Sequence, residues 1–249
     1  QPIEVTEHLI GHYNCPKCKK HIIAKNNAPT GRFGDNVLTH VALLKFDDRL
    51  PLRKAVSSLE RHYGITITNV AVLNATEDVA LRLEKPYKQL IRKIRKAEVI
   101  HADETKIRVN GITYWLWTFV TEKETLFVIR KSRAKKVIEE ILGEEFKGVI
   151  CCDGWAAYSQ YTSKLQRCWA HLLREAKHLA EKFYEFEGFY QAFKKMFEKI
   201  NEVRGKPPSL DKREELKSEL RLEMEQMIQQ MNSYQEFRKF ANKVMNGID

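Results

Sequence analysis

The chain has 249 residues, a formal charge of +10 and 43% hydrophobic residues, enough for one sizeable core and a smaller module. Its longest apolar runs, 149–152 and 126–129, are strand-sized and far below the roughly 20 residues of a spanning helix, so no membrane partner is expected. The opening Gln1-Pro2-Ile3-Glu4 lacks the basic and apolar stretches of a secretory signal, and the missing initiator Met reads as an excised or processed chain.

The positive charge is concentrated at the front. Residues 1–100 hold 17 Lys and Arg against 10 Asp and Glu, whereas 185–249 hold 12 of each. An electropositive first half suits a polyanion such as DNA, where released counterions drive association; solvated lysine surface is the plainer reading. Five cysteines, two of them adjacent (Cys151, Cys152), do not form the even-numbered framework of a secreted disulfide protein, and a cytoplasmic location is expected.

In chain order, Cys15-Pro16-Lys17-Cys18 makes a C-x-x-C knuckle, and a Gly/Pro/Asn-rich connector follows over 26–34. Residues 35–45 are apolar at helical spacing, with Asp35 as an expected N-cap. Pro51 opens a second helix to Tyr63, Gly64 stops it, and Thr66 or Thr68 caps a third helix carrying Val70, Leu73 and Val79. Helix, Gly turn and helix outline a helix-turn-helix or an ordinary helical hairpin. Its cations Arg53, Lys54 and Arg61 are candidate phosphate contacts, as are Arg92, Lys93, Arg95 and Lys96 on a basic helix over 88–96, and Arg133 further on.

From Glu98 the period changes. Residues 99–102, 112–121 and 125–130 read as three antiparallel strands, 134–142 as a helix ended by Gly143, and 148–152 as a buried strand ending at Asp153-Gly154. A return strand after that helix can lie parallel to the first through a crossover. Asp103, placed after the first strand, and Asp153, placed after the fourth, then emerge at one sheet edge. There they are either turn formers or ligands of hard divalent cations. Two such ions, about 3.5 to 4 Å apart, activate the attacking oxygen and stabilise the leaving one in phosphodiester displacement. Amphipathic helices are expected over 169–184, 189–203, 210–231 and 234–245.

Five blocks occur in order: His101-Ala102-Asp103-Glu104-Thr105, Tyr114-Trp115-Leu116-Trp117, Ser132-Arg133, Cys152-Asp153-Gly154-Trp155-Ala156-Ala157-Tyr158, and Gln166-Arg167-Cys168-Trp169-Ala170-His171-Leu172-Leu173-Arg174. This series resembles the insertion-sequence sixty-six family of DDE transposases, and Pro51-Leu52-Arg53 and the knuckle extend the likeness backwards.

The resemblance implies an α/β, ribonuclease-H-like mixed sheet with flanking helices, preceded by a small helical module and a knuckle and followed by a helical insertion. The expected division is 1–34, 35–97, 98–184 and 185–249. It implies Asp103 and Asp153 as the first two acids of a two-metal Mg or Mn site, with water and then a 3′-hydroxyl attacking DNA. Transposon-end and target DNA become the partners, a homodimer pairs the two ends, and the location is prokaryotic and nucleoid-associated. The family's third acid lies in an Asn-Asn-x-x-Glu stretch that this sequence lacks, since Asn26-Asn27 is its only Asn pair, so an incomplete site is expected; Glu175, Glu181 and Glu187 are the substitutes at hand.

Cys168-x-x-His171 resembles a signature of several DDE transposases and serves either packing or catalysis. Arg174, one turn on, either contacts phosphate or forms a surface ion pair. Cys15 and Cys18 offer two of the four ligands of a structural zinc, with His12 and His21 flanking them or, as the resemblance implies, another cysteine pair upstream.

Overall fold

The computed structural model describes residues 3–24, 32–205, 207–231 and 234–245. The 26–34 connector therefore lies mostly outside the described residues. The chain divides into two compact units, residues 1–87 and 88–249.

The first unit opens with a hairpin, β1 (His12–Asn14) and β2 (His21–Ile23), whose connection carries the two knuckle cysteines. Three helices follow: α1 (Asp35–Ala42), α2 (Leu52–Tyr63) and α3 (Asn69–Arg82). Leu38, Val41, Leu44, Ala55, Leu59, Val72 and Ala75 form their common core. Thr68 is the cap of α3, its hydroxyl accepting the Ala71 N–H at 3.1 Å. Asp35 is not the cap of α1. Gly34 holds that position, and Asp35 sits in the first turn, bonded to Arg82 of α3. After Ala42 the helix widens into a π turn over Leu43–Asp47.

Helix α4 (Glu84–Ile94) crosses the boundary and packs Leu90, Ile91 and Ile94 on the core of the second unit. There β3 (Val99–Val109), β4 (Ile112–Val120) and β5 (Thr125–Arg130) form an antiparallel meander. After α5 (Lys135–Leu142), β6 (Val149–Cys152) returns parallel to β3; after α6 (Ala156–Tyr161), β7 (Leu165–Arg167) pairs parallel to β6. The sheet order is β5-β4-β3-β6-β7. One face, carrying Ile100, Ala102, Trp117, Phe119, Leu126 and Val128, packs on Val137, Ile138, Ile141 and Leu142 of α5 and on Tyr158 of α6.

Strand β3 is much longer than the expected 99–102. Asn110 and Gly111, at φ 50° and 78°, form a two-residue turn of the kind that matches strand twist, so β3 and β4 stay paired to Val109 and Ile112. Asp103 is therefore inside a strand and not after one.

The remaining helices are α7 (Trp169–Lys182), α8 (Glu187–Gly205), α9 (Leu210–Met231) and α10 (Gln235–Met245). They share a second core in which Phe186, Phe189, Phe193, Phe237 and Phe240 meet ring to ring. Among the described residues no helix is long and apolar enough to cross a membrane.

Candidate active site

The parallel pairing of β3 with β6 sets Val99 against Val149, Ile100 against Ile150 and His101 against Cys151. Continuing that register puts position 103 level with position 153. Asp103, within β3, and Asp153, directly after β6, thus come level on neighbouring parallel strands. Asp103 is 61% exposed; its Oδ1 accepts the Glu104 N–H at 2.9 Å, and its Oδ2 lies 3.9 Å from Nε2 of His171 on α7. Asp153 caps its own turn, Oδ1 accepting the Trp155 N–H at 2.8 Å.

Sequence reasoning missed the hub of this region, Glu104. It is the only charged residue buried among those described, and its carboxylate is fully enclosed. Nε and Nη2 of Arg133 both reach its Oε1 at 2.7 Å, and the Tyr158 hydroxyl donates to Oε2 at 2.6 Å. Burial raises the Glu104 pKa, opposed by the hydrogen bonds from Tyr158 and Arg133. Burial also raises the Tyr158 hydroxyl, and the neighbouring Glu104 carboxylate adds to the effect, so Tyr158 stays a donor. The missed signal was strand alternation: Glu104 is in phase with the buried Ile100 and Ala102, and Asp103 is out of phase.

Arg133 carries the network towards Asp153. Its guanidinium centre lies 4.8 Å from the Trp115 ring and 4.0 Å from the Trp155 ring, and Nη2 is 3.9 Å from Asp153 Oδ2. Trp155 Nε1–H returns to the Arg133 carbonyl at 3.3 Å, and the buried Trp117 donates to the Ser132 carbonyl at 3.2 Å. The first four blocks of the sequence pattern therefore meet in one cage around the β6–α6 loop. Arg167, from the fifth, packs its guanidinium over Gly154 and keeps Nε and Nη1 buried without a hydrogen-bond partner.

Two of the supporting candidates, His171 and Arg174, line an open cleft of about 540 Å³ together with Asp153, Glu175, His178 and Glu181. Cys168 is the N-cap residue of α7 and lies against Cys151, while Nδ1 of His171 is buried without a partner. Glu175 is paired with Lys243 at 2.8 Å, Glu181 with Lys177 at 3.5 Å, and Glu187 accepts from Gln191 at 2.7 Å. Asp103 and Asp153 supply the hard oxygen donors that suit Mg or Mn, but among the described residues no three His, Cys, Asp or Glu side chains gather as a metal site.

At the knuckle, the Cys18 backbone N–H, then the Cys18 thiol and the Lys17 N–H, hold the Cys15 pKa below its ordinary value. His12 and His21 are 3.2 Å from each other, and His21 also meets Asn14 at 3.1 Å. The thiol pair thus has two of the four ligands a closed zinc site needs.

Of the candidate DNA contacts, Arg53, Lys54 and Arg61 are exposed on α2, and Arg92 and Lys96 are exposed on and just after α4. Three are otherwise engaged. Lys93 pairs with Glu124 at 3.1 Å, Arg133 holds Glu104, and Arg95 donates to the Ile141 and Glu140 carbonyls at 2.6 and 2.8 Å, closing the end of α5.

Residues 88–249 thus hold a mixed five-stranded sheet whose central strands β3 and β6 run parallel, and the first hundred residues of the chain carry a cationic excess. The chain belongs to the IS66 family of transposases: the model described as "Transposase IS66 family" matches residues 30–246. Family membership makes DNA the partner. No curated protein matches the chain.

Proposed function

We propose that residues 88–249 contain the first two acids, Asp103 and Asp153, of a metal-dependent phosphodiester-transfer site on a ribonuclease-H-like sheet. The observation that carries the reading is the β3–β6 register, which, continued past His101 and Cys151, brings position 103 within β3 level with position 153 just after β6. The antiparallel β3–β5 meander followed by parallel β6 and β7 supports the fold assignment. In this reading Asp103 and Asp153 would hold divalent Mg or Mn, which would supply charge neutralisation at the phosphate and activation of the attacking oxygen. His171 flanks Asp103, Arg174 offers donors to phosphate from the same cleft as Asp153, and the Arg133 cage fixes the loop that bears Asp153. The exposed cations Arg53, Lys54 and Arg61 of the first unit, and Arg92 and Lys96 of the second, bind the DNA backbone.

The test is cleavage and strand transfer by the full-length transposase on DNA bearing the element ends, with Mg or Mn. Asp103→Asn and Asp153→Asn should each abolish both steps while DNA binding persists. Retained cleavage in either variant would sink the assignment. A second reading, a noncatalytic DNA-binding and assembly module, is favoured by the lack of a third converging acid among the described residues. Salt-dependent binding by the full-length protein with neither cleavage nor joining is the result that would establish it.

A further inference from the structure

We propose that Trp155 is a stacking platform for an unpaired nucleobase next to the phosphate addressed by Asp153, an inference that rests on the reading of Asp153 as a catalytic acid. Trp155 is a large apolar side chain left 42% exposed two positions beyond that acid. Apolar side chains on a surface need no special account singly. This one is held rigidly. Its backbone N–H is bonded to Asp153 Oδ1 at 2.8 Å, its ring N–H to the Arg133 carbonyl at 3.3 Å, and one ring face rests on the Arg133 guanidinium at 4.0 Å.

Arg133 is itself held by the enclosed Glu104 carboxylate and by the Trp115 ring, 4.8 Å from its guanidinium centre. The indole therefore sits on a charge-balanced support, its only donor is used internally, and its remaining ring surface faces solvent. A group in that position recognises neither phosphate nor a base edge. It offers a π face, which any base can use, and the ordering cost has already been met by the fold. Within a duplex, base faces are covered by their neighbours. The occupant is consequently a terminal or extruded base of the nucleotide adjoining the phosphate at Asp153.

The probe is a splayed oligonucleotide duplex carrying 2-aminopurine at successive positions around the branch, titrated with the full chain without metal. The expected result is strong quenching of the fluorophore at one unpaired position. Trp155→Ala should remove that quench and weaken binding of the splayed duplex about fivefold or more, as for loss of one stacked base. Trp155→Phe and Trp155→Leu guard against a folding defect: both keep apolar bulk, and the Phe variant should retain more quench than the Leu variant. Asp153→Asn, whose side-chain oxygen still accepts the Trp155 N–H, should keep the quench. If the quench persists in Asp153→Asn and that substitution leaves cleavage by the full-length protein intact, the acid assignment fails while the platform stands. Equal quenching by wild type and Trp155→Ala, equal quench in the Phe and Leu variants, or no quench at any position with the DNA bound, would overturn the platform.

Discussion

Asp103 and Glu104 are consecutive on β3, yet one is 61% exposed and the other fully enclosed, because the pleat sends them to opposite faces of the sheet. The two carboxylates should therefore fail differently when altered. Asp103→Asn changes an exposed group, and unfolding in denaturant should stay within about 0.5 kcal/mol of wild type. Glu104→Ala removes the counter-charge from Arg133 and the acceptor from Tyr158, with an expected loss of about 3 kcal/mol or more. Equal destabilisation by the two changes would refute the division of roles.

Gly154 is constrained twice. Its φ is 93°, where side chains are strained, and a Cβ there would lie 1.9 Å from Nη1 of Arg167. Gly154→Ala should lose roughly 1–3 kcal/mol from backbone strain alone. In Gly154→Ala/Arg167→Ala the steric part should disappear and the backbone part remain, so the two losses should not add. A Gly154→Ala protein as stable as wild type would contradict this geometry.

The cysteines should differ sharply in reactivity. Burial pushes Cys151 up to about 12 and Cys152 up to about 11, whereas the hydrogen bonds at the knuckle lower Cys15. Iodoacetamide at pH 7.5 should label Cys15 well before either buried thiol, as mass spectrometry of digested protein can read. Because the folded pKa values of Cys151 and Cys152 are raised above the unfolded thiol value of about 8.5, the folded state holds those protons more tightly. Their contribution to stability is complete below that value and is lost as pH rises through about 11 to 12. The melting temperature should accordingly fall above about pH 9, and less so in a Cys151→Ala/Cys152→Ala protein once the cavity effect at neutral pH is subtracted.

The cations on and just after α4 should also separate by role. Arg95→Gln loses two hydrogen bonds to the last carbonyls of α5 and should lower stability by about 1.5–3 kcal/mol. Arg92→Gln and Lys96→Gln should leave unfolding unchanged and each reduce the salt dependence of DNA binding by about one phosphate contact. A binding defect in Arg95→Gln as large as in the other two, without loss of stability, would reverse the roles.

Much of this architecture was readable from residue order. The helix stop at Gly64, a cap at one of the two threonines offered, which is Thr68, and strand β5 follow local rules whose signals are strong, and the parallel return of β6 follows the crossover rule. Strand β3 was cut short because the polar residues Asp103 to Lys106 interrupt its apolar run, although Asn110-Gly111 marks a tight hairpin turn that requires paired strands on both sides. At the site, the acids stood out by their blocks, but the partners of Arg133 did not. A cation on a loop is as easily a DNA contact as a buried counter-ion, and only the three-dimensional placement of Glu104 separates them. Short α6 was missed because six residues hold too little periodicity to be seen.

The two sides of β3 also differ in when they can form. Its hairpin with β4 closes through a two-residue turn and extends over nine register pairs, whereas its pairing with β6 spans three and must wait for α5 to be made. Local contacts carry little loop-closure cost and distant ones carry more. During synthesis, then, the β3–β4 pairing that carries Asp103 can close before Asp153 leaves the ribosome. The level placement of Asp103 and Asp153 is therefore a late product of assembly, made only once β6 has joined a sheet whose other half is already paired.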